Sequence, residues 1–545
     1  MAYRPEIEVP ATGVDEYPWL RTVREMSMTL YYALAVLLFP AGCGLLYLTN
    51  GGYLSLGEPY VVRASADLRP KDAPTAFVDV NVVPMDRERV LRDQTVIVRD
   101  GVIEEVGGRG EVDVPGDALT VDGEGRYLMP GLADMHAHIQ DKDELLLFAA
   151  NGVTTVRNMW GSTGKSRWLG VPDQLGLRER IERENLLGPT IYTAGPIMEG
   201  EPATSPLMPV IETPGEGRES VAWQRERGYD FVKVYDNLSE DTYRAILDAA
   251  KEHDLPVVGH VPNRVSLDAA LAGGQLTIEH LTGYVDPDAA AFNIPEGRLE
   301  EYAAMTREAG VYNCPTIGLY QKVVPTEEVQ GLEEQTTGIQ YVPPLTRATW
   351  RLFSSQMGKS LTYEGDDYPA RIARIDKRMT KILHEAGAKI LLGTDTDNPY
   401  LVPGFSLHEE LGYLVDAGLS PYEAIQAGTK NAAESLGEQD EVGTVAEGKR
   451  ADLILVEKNP LEDVENVEVR GGVMLRGRWL PEEQLRKMLT QLEASYAPTL
   501  VDRVWPLGLI LLGLFLIFRR ISGGKRGPSD ALYFFTRRAL KLLQA

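Results

Sequence analysis

Eight short apolar runs, separated for the most part by helical patterns, constrain this chain more than any other feature. They are Leu132 to His138, Val153 to Asn158, Thr190 to Ala194, Phe231 to Tyr235, Val257 to His260, Thr277 to His280, Tyr312 to Thr316 and Ile390 to Asp395. Each has the length of a strand and is rich in β-branched, aromatic or other apolar residues. Between the fourth and fifth runs, Thr242 to His253 carries Ile246, Leu247, Ala249 and Ala250 at helical spacing. Eight strand–helix units in succession is the count of an α/β fold of the (β/α)8 TIM-barrel type, expected here over 130–439. Within it, 321–370 is too long for a plain connection and reads as an insertion forming a lid or cap.

The rhythm on either side of the eight units is β without helices. Phe77-Val78-Asp79-Val80, Thr95-Val96-Ile97-Val98 and Val102-Ile103 are punctuated by Asp100-Gly101 and Gly107-Gly108. That is the pattern of a small antiparallel sheet. β character returns in Gly443-Thr444-Val445, Ala451 to Val456, Val467 to Val469 and Gly472 to Leu475. The expected arrangement is one small β-sandwich domain built from both flanks, 76–129 and 440–480, with the barrel inserted into it. A linker helix is expected over 481–503.

The balance of 55 basic against 80 acidic residues gives a net charge of −25, which leaves no basic footprint for nucleic acid. The charge is uneven. From Arg519 onward, seven basic residues face Asp530 alone. Two apolar segments, 28–48 and 504–518, are expected to be transmembrane helices. Arg21 and Arg24 precede the first, and Arg519-Arg520 follow the second. By the rule that basic flanks stay inside, the segment 1–27 and the basic amphipathic tail 519–545 are cytoplasmic. The body beyond the 49–75 linker is then extracytoplasmic, on the inner or cytoplasmic membrane. A cleaved signal peptide, or lipoprotein processing before Cys43, is the rival reading of the first segment. Two cysteines imply no disulfide framework. Self-association into a homo-oligomer stays open.

The polar residues of the eight units collect at the strand ends. His136 and His138 alternate with Ala137, so they share a face and can converge on a divalent metal. Lys233 and Tyr235 end the fourth run, His260 the fifth, His280 the sixth and Asp395 the eighth. In a barrel of this type, that end carries the active site. Lys233 lies in an apolar run, where a bare ammonium is costly and needs a partner or a modification. Tyr235 reads equally as core packing. His253 and His384 fall at helix ends on the opposite face and read as structural, complementing the helix dipole. His408, at the start of the helix after the eighth strand, reads as capping or packing.

Leu128-Met129-Pro130-Gly131-Leu132-Ala133-Asp134-Met135-His136-Ala137-His138 resembles the strand-one signature of the amidohydrolase superfamily. Gly152 to Arg157, Gly393-Thr394-Asp395 and Gly443 to Leu453 resemble its later motifs. Phe231 to Tyr235, Gly259-His260 and Ile278-Glu279-His280 resemble its imidazolonepropionase-like and prolidase-like branch. The resemblance covers about Ala76 to Leu480. It implies metal ligation by His136, His138, Lys233, His260, His280 and Asp395, with Lys233 carboxylated and bridging two metals. Zinc suits such a donor set, and Mn2+, Co2+ or Fe2+ could replace it. It implies that Asp395 moves the proton and that Tyr235 donates to the oxyanion. The implied activity is hydrolysis of amide C–N bonds in small molecules, such as dipeptides including Xaa-Pro, or N-acyl amino acids. Arg157, Arg167 or a residue of the insertion would take the substrate carboxylate. The alternatives are a cyclic amide or lactone hydrolase, and a membrane-tethered binding protein without catalysis.

Overall fold

The computed structural model describes residues 60–66, 74–168, 171–284, 296–324, 328–361 and 368–496. The chain divides into two compact units, Met1–Leu489 and Thr490–Ala545. Of the second, the described residues finish the helix Glu482–Ser495. Everything below concerns the first unit.

Five strands precede the eight units: β1 (Thr75–Val82), β2 (Leu91–Arg99), β3 (Val102–Gly108), β4 (Leu119–Asp122) and β5 (Tyr127–Pro130). The eight apolar runs contribute β6 (Leu132–Ala137), β7 (Val153–Asn158), β8 (Thr190–Thr193), β9 (Val232–Val234), β10 (Val257–Gly259), β11 (Thr277–Glu279), β12 (Tyr312–Cys314) and β13 (Lys389–Ile390). Three more follow: β14 (Leu453–Val456), β15 (Arg470–Leu475) and β16 (Arg478–Pro481).

The flanking strands pair across the whole sequence in the order β16-β15-β14-β5-β1-β2-β3, with β4 also on β1. The pairing is one continuous sheet. It is mixed rather than antiparallel throughout, because β4 and β5 both run parallel to β1. Its core joins the two flanks: Phe77, Val96, Val98 and Leu128 meet Leu453, Leu455 and Met474. The rings of Phe77 and Trp479 meet edge to face at 5.1 Å, a geometry that adds to the area they bury.

β6 to β13 are parallel and pair in chain order, as a three-stranded sheet β6-β7-β8 and a five-stranded sheet β9 to β13. Parallel bridges span both gaps, Ala194 to Phe231 on one side and Ala137 to Thr396 on the other. Helices fill most of the connections, and local sequence sets their limits. Pro214–Arg227 starts on a capping box of Thr213 and Glu216 and stops at left-handed Gly228. Glu240–Glu252 starts on Ser239, whose side chain accepts from Thr242 N–H.

The long connection before β13 holds helices Gly318–Gln321, Val329–Gln335, Pro344–Leu361 and Tyr368–Glu385. It rests on the segment after β13. Trp350 meets Tyr400 edge to face at 5.7 Å, and Tyr341 stacks on Phe405 at 5.6 Å. Among the described residues, no helix is long and apolar enough to cross a membrane. The segments 28–48 and 504–518, and the tail 519–545, lie outside the described residues.

Candidate active site

β6 is buried along its full length and delivers His136 at its end, with His138 just beyond. The chain leaving β13 is laid directly on it. Thr394 N–H and Asp395 N–H both donate to the His136 carbonyl, at 3.3 and 2.7 Å. Asp134 ties the two segments further, accepting from Thr394 Oγ1 at 2.7 Å and from Thr394 N–H at 3.1 Å. Such close approach needs glycine at 393, where a Cβ would lie 2.5 Å from Cys314 Sγ and 2.7 Å from His136 N. Gly259 serves the same end before His260. Its φ is +121°, and a Cβ there would meet the Val234 carbonyl at 2.3 Å.

This packing brings together all six residues that the sequence marks as metal ligands. Asp395 Oδ1 lies 2.9 Å from His138 Nε2 and 3.3 Å from His136 Nε2, and Asp395 Oδ2 lies 3.9 Å from His280 Nε2. Lys233 Nζ is 3.2 Å from His136 Nε2 and essentially inaccessible. The His260 and His280 rings are 5.0 Å apart, and those of His136 and His280 4.6 Å. Tyr235 packs its ring against His260 at 4.1 Å. Asp395 and His280 both hold positive φ, +61° and +54°. Non-glycine residues adopt such strained backbone sparsely, and it clusters at functional sites.

The electrostatics suit a cation. Burial, and then the Lys233 charge, hold His136 well below the usual imidazole range. Burial lowers His280 to about 3. Burial works to raise Asp395, but His280, His138 and Lys233 outweigh it and keep the carboxyl below its ordinary value. Burial also lowers Lys233, against the pull of Asp395 and Glu279. Neutral imidazoles beside an ionised carboxylate are the protonation states a metal requires. Donor atoms of His136, His138 and Asp395 all lie within 4.8 Å of one another. His260 Nε2 is buried without a hydrogen-bond partner, so the donor set fits a divalent ion and leaves a nitrogen for it.

A second layer of residues escaped the sequence reading. His136 Nδ1 is 2.7 Å from Glu279 Oε2, His260 Nδ1 2.6 Å from Asp236 Oδ1, and His280 Nδ1 2.6 Å from Thr316 Oγ1. Two of the three sit next to a marked residue in the chain, Glu279 before His280 and Asp236 after Tyr235. Strand alternation assigns adjacent side chains to opposite faces. The positive φ of His280, just past the end of β11, breaks that rule. Arg157 requires a correction. It was a candidate for the substrate carboxylate, but its guanidinium is fully buried and committed to Glu279 Oε1 at 2.8 Å, the Met135 carbonyl at 2.6 Å and Thr277 Oγ1 at 3.1 Å. Arg167 pairs with Asp173 at 3.0 Å on the surface.

The other histidines stand apart from the cluster. His253 caps the helix Glu240–Glu252, and His384 lies in the last turn of Tyr368–Glu385, 3.4 Å from Glu423. His408 is buried, with Nε2 3.0 Å from the Asn151 carbonyl.

Comparison with known proteins fits this geometry. The amidohydrolase family model matches residues 127–480. Ochratoxinase of Aspergillus niger is 25% identical over 441 residues, covering 70% of this chain and 81% of the relative. Among solved structures, bottromycin amidohydrolase superposes with a TM-score of 0.65 at 24% identity, covering 83% of this chain and 97% of that one. A putative prolidase from Bifidobacterium longum superposes with a TM-score of 0.58 at 27% identity, covering 78% of this chain and all of that one. The chain belongs to the amidohydrolase family, and it is a hydrolase acting on carbon–nitrogen bonds.

Proposed function

We propose that this protein is a membrane-anchored, metal-dependent amidohydrolase that cleaves amide bonds of small substrates, namely dipeptides including Xaa-Pro, or N-acyl amino acids. The observation that carries the reading is the convergence of His136, His138, Lys233, His260, His280 and Asp395 in one buried cluster. A putative prolidase among the structural relatives supports an amide substrate. In this reading the ring of β6 to β13 is a (β/α)8 barrel, inserted between the flanks 76–129 and 440–480. The 321–370 insertion covers its mouth.

His136, His138 and Asp395 would hold one divalent ion and His260 and His280 the other, zinc being the first choice. Lys233, carboxylated on Nζ, would bridge them. A carbamate there replaces a buried cation with two anionic oxygens. When bound, the ions supply Lewis acidity and make water nucleophilic at neutral pH. Asp395 takes the proton from the attacking water and passes it to the leaving nitrogen. Tyr235 donates its hydroxyl hydrogen to the developing oxyanion. The apolar segments 28–48 and 504–518 would anchor the chain, with both termini cytoplasmic and the catalytic body outside.

Elemental analysis of the purified protein, run with a panel of dipeptides and N-acyl amino acids, tests the reading. The expected result is near two metals per chain and turnover of at least one amide class. Metal-free protein that stays inert after zinc loading would overturn it. Turnover confined to cyclic amides or lactones would replace the substrate class and keep the site.

A further inference from the structure

We propose that Glu279 is a positioning residue, clamped by Arg157 and Thr277, which locks His136 in the tautomer that carries its proton on Nδ1. Three side chains fix the carboxylate, all fully buried. Oε1 accepts from Arg157 Nη2 at 2.8 Å and from the Thr277 hydroxyl, and Oε2 faces His136 Nδ1 at 2.7 Å. With Arg157 and Thr277 both donating to Oε1, the Glu279 side chain acts as an acceptor, and it takes the same role toward His136, whose Nδ1 then carries the proton. On the other side of the ring, Nε2 faces Lys233 Nζ at 3.2 Å and Asp395 Oδ1 at 3.3 Å, so the carboxylate contact at Nδ1, at 2.7 Å, is the shorter of the two and holds the proton.

Arg157 is what makes this lock stiff. Its fork spans three strands at once, reaching the Met135 carbonyl on β6, and Thr277 and Glu279 on β11, from its own place on β7. It also neutralises a carboxylate that would otherwise stand charged in a dry interior. The neighbouring rings are held differently. His260 leans on Asp236, whose side chain is about one-third exposed, and His280 on the hydroxyl of Thr316. His138 Nδ1 is buried with no partner. His136 is thus the ring whose orientation is fixed most rigidly, and the consequence for metal rests on the ligand role proposed for it above.

Two measurements on the full chain separate the claim from that reading. The first is the ring-nitrogen spectrum of metal-free protein labelled with 15N-histidine, with His136 assigned by its loss in His136→Gln. The wild type should show His136 protonated on Nδ1. Glu279→Gln, whose amide can donate as well as accept, should give a mixture or the Nε2-protonated form. Thr277→Val, which removes one support and keeps the carboxylate, should leave the tautomer in place and broaden the signal. The second is zinc affinity by chelator competition, where Glu279→Gln should weaken binding 10- to 100-fold, with Arg157→Lys falling between it and wild type. An unchanged Nδ1–H tautomer in Glu279→Gln would overturn the proposal even if the wild type binds zinc normally. A tautomer shift in a protein that binds no zinc would uphold the lock and overturn the ligand reading.

Discussion

The strand ends of β6, β9, β10, β11 and β13 and the flanking sheet are built on opposite terms. The sheet is apolar and regular: Phe77, Leu128, Leu453 and Met474 are fully or almost fully inaccessible, and its ladder runs through both flanks of the sequence. The strand ends gather four imidazoles, two carboxylates, a lysine and an arginine with little or no exposure, and hold His280 and Asp395 in left-handed backbone. Burying charge is expensive unless each group is paired, and strained backbone persists only where its surroundings over-determine it. The sheet therefore supplies stability, and the strand ends spend it on chemistry.

The sharpest break of this contrast is at Asp395. Asp395→Asn keeps the shape of the cluster and removes the group proposed to accept the proton. It should lower kcat by about 10²- to 10⁴-fold, the range for a lost general base, while the protein retains most of its metal and its melting temperature. Steady-state kinetics on the best substrate of the panel, with metal content measured on the same sample, reads this out. Near wild-type turnover would take the proton-transfer role away from Asp395.

On the sheet the reverse is expected. Phe77→Ala deletes a ring that is inaccessible and packed on Trp479. It should cost about 3–5 kcal/mol of stability, as large-to-small core changes do, with kcat of the folded fraction unchanged. Denaturant unfolding and kinetics at a temperature where the variant is folded measure the two halves. A fall in kcat larger than twofold would show that the sheet reaches the chemistry.

What could be seen from the sequence divides along the same line. All eight strands were legible because strands buried on both faces read as short continuous apolar runs. The six cluster residues were legible because polar residues ending such runs have few structural uses. Glu279 and Thr316 were not, since the strand period fails once His280 and Thr316 take positive φ, +54° and +50°, and Asp236 was not, because its contact with His260 joins two different strand ends. Arg157 stood among the candidates for the substrate carboxylate because a sequence does not show that Glu279 stands 2.8 Å away. The parallel pairing of β4 and β5 with β1 also escaped, because local turn signals specify hairpins and say nothing of a strand that returns from afar. The seat of the insertion on Tyr400 and Phe405 is long-range in the same way.

The smallest expected effect tests whether a buried charge is tolerated only where it serves the cluster. Asp376, in the helix Tyr368–Glu385, is 6% exposed and its Oδ2 has no hydrogen-bond partner. Burial, and then the neighbouring Glu410 carboxyl, push Asp376 well above the ordinary aspartate range. Burial also raises Glu410 to about 8, although it accepts from the N–H groups of Ile317 and Gly318. The native state therefore holds protons that the unfolded chain has released. Stability should decline as pH rises above the ordinary carboxylate range, flattening once the folded groups have ionised, near pH 8 for Glu410. Asp376→Asn removes one of these groups. It should be close to wild type at pH 4 and more stable by on the order of 1 kcal/mol at pH 8, within the usual range for single changes. Urea unfolding of both proteins at the two pH values decides it. A variant that is less stable than wild type at pH 8 would mean that the Asp376 carboxylate is charged and paired in the native protein, and that buried charge in this fold is not reserved for the strand ends.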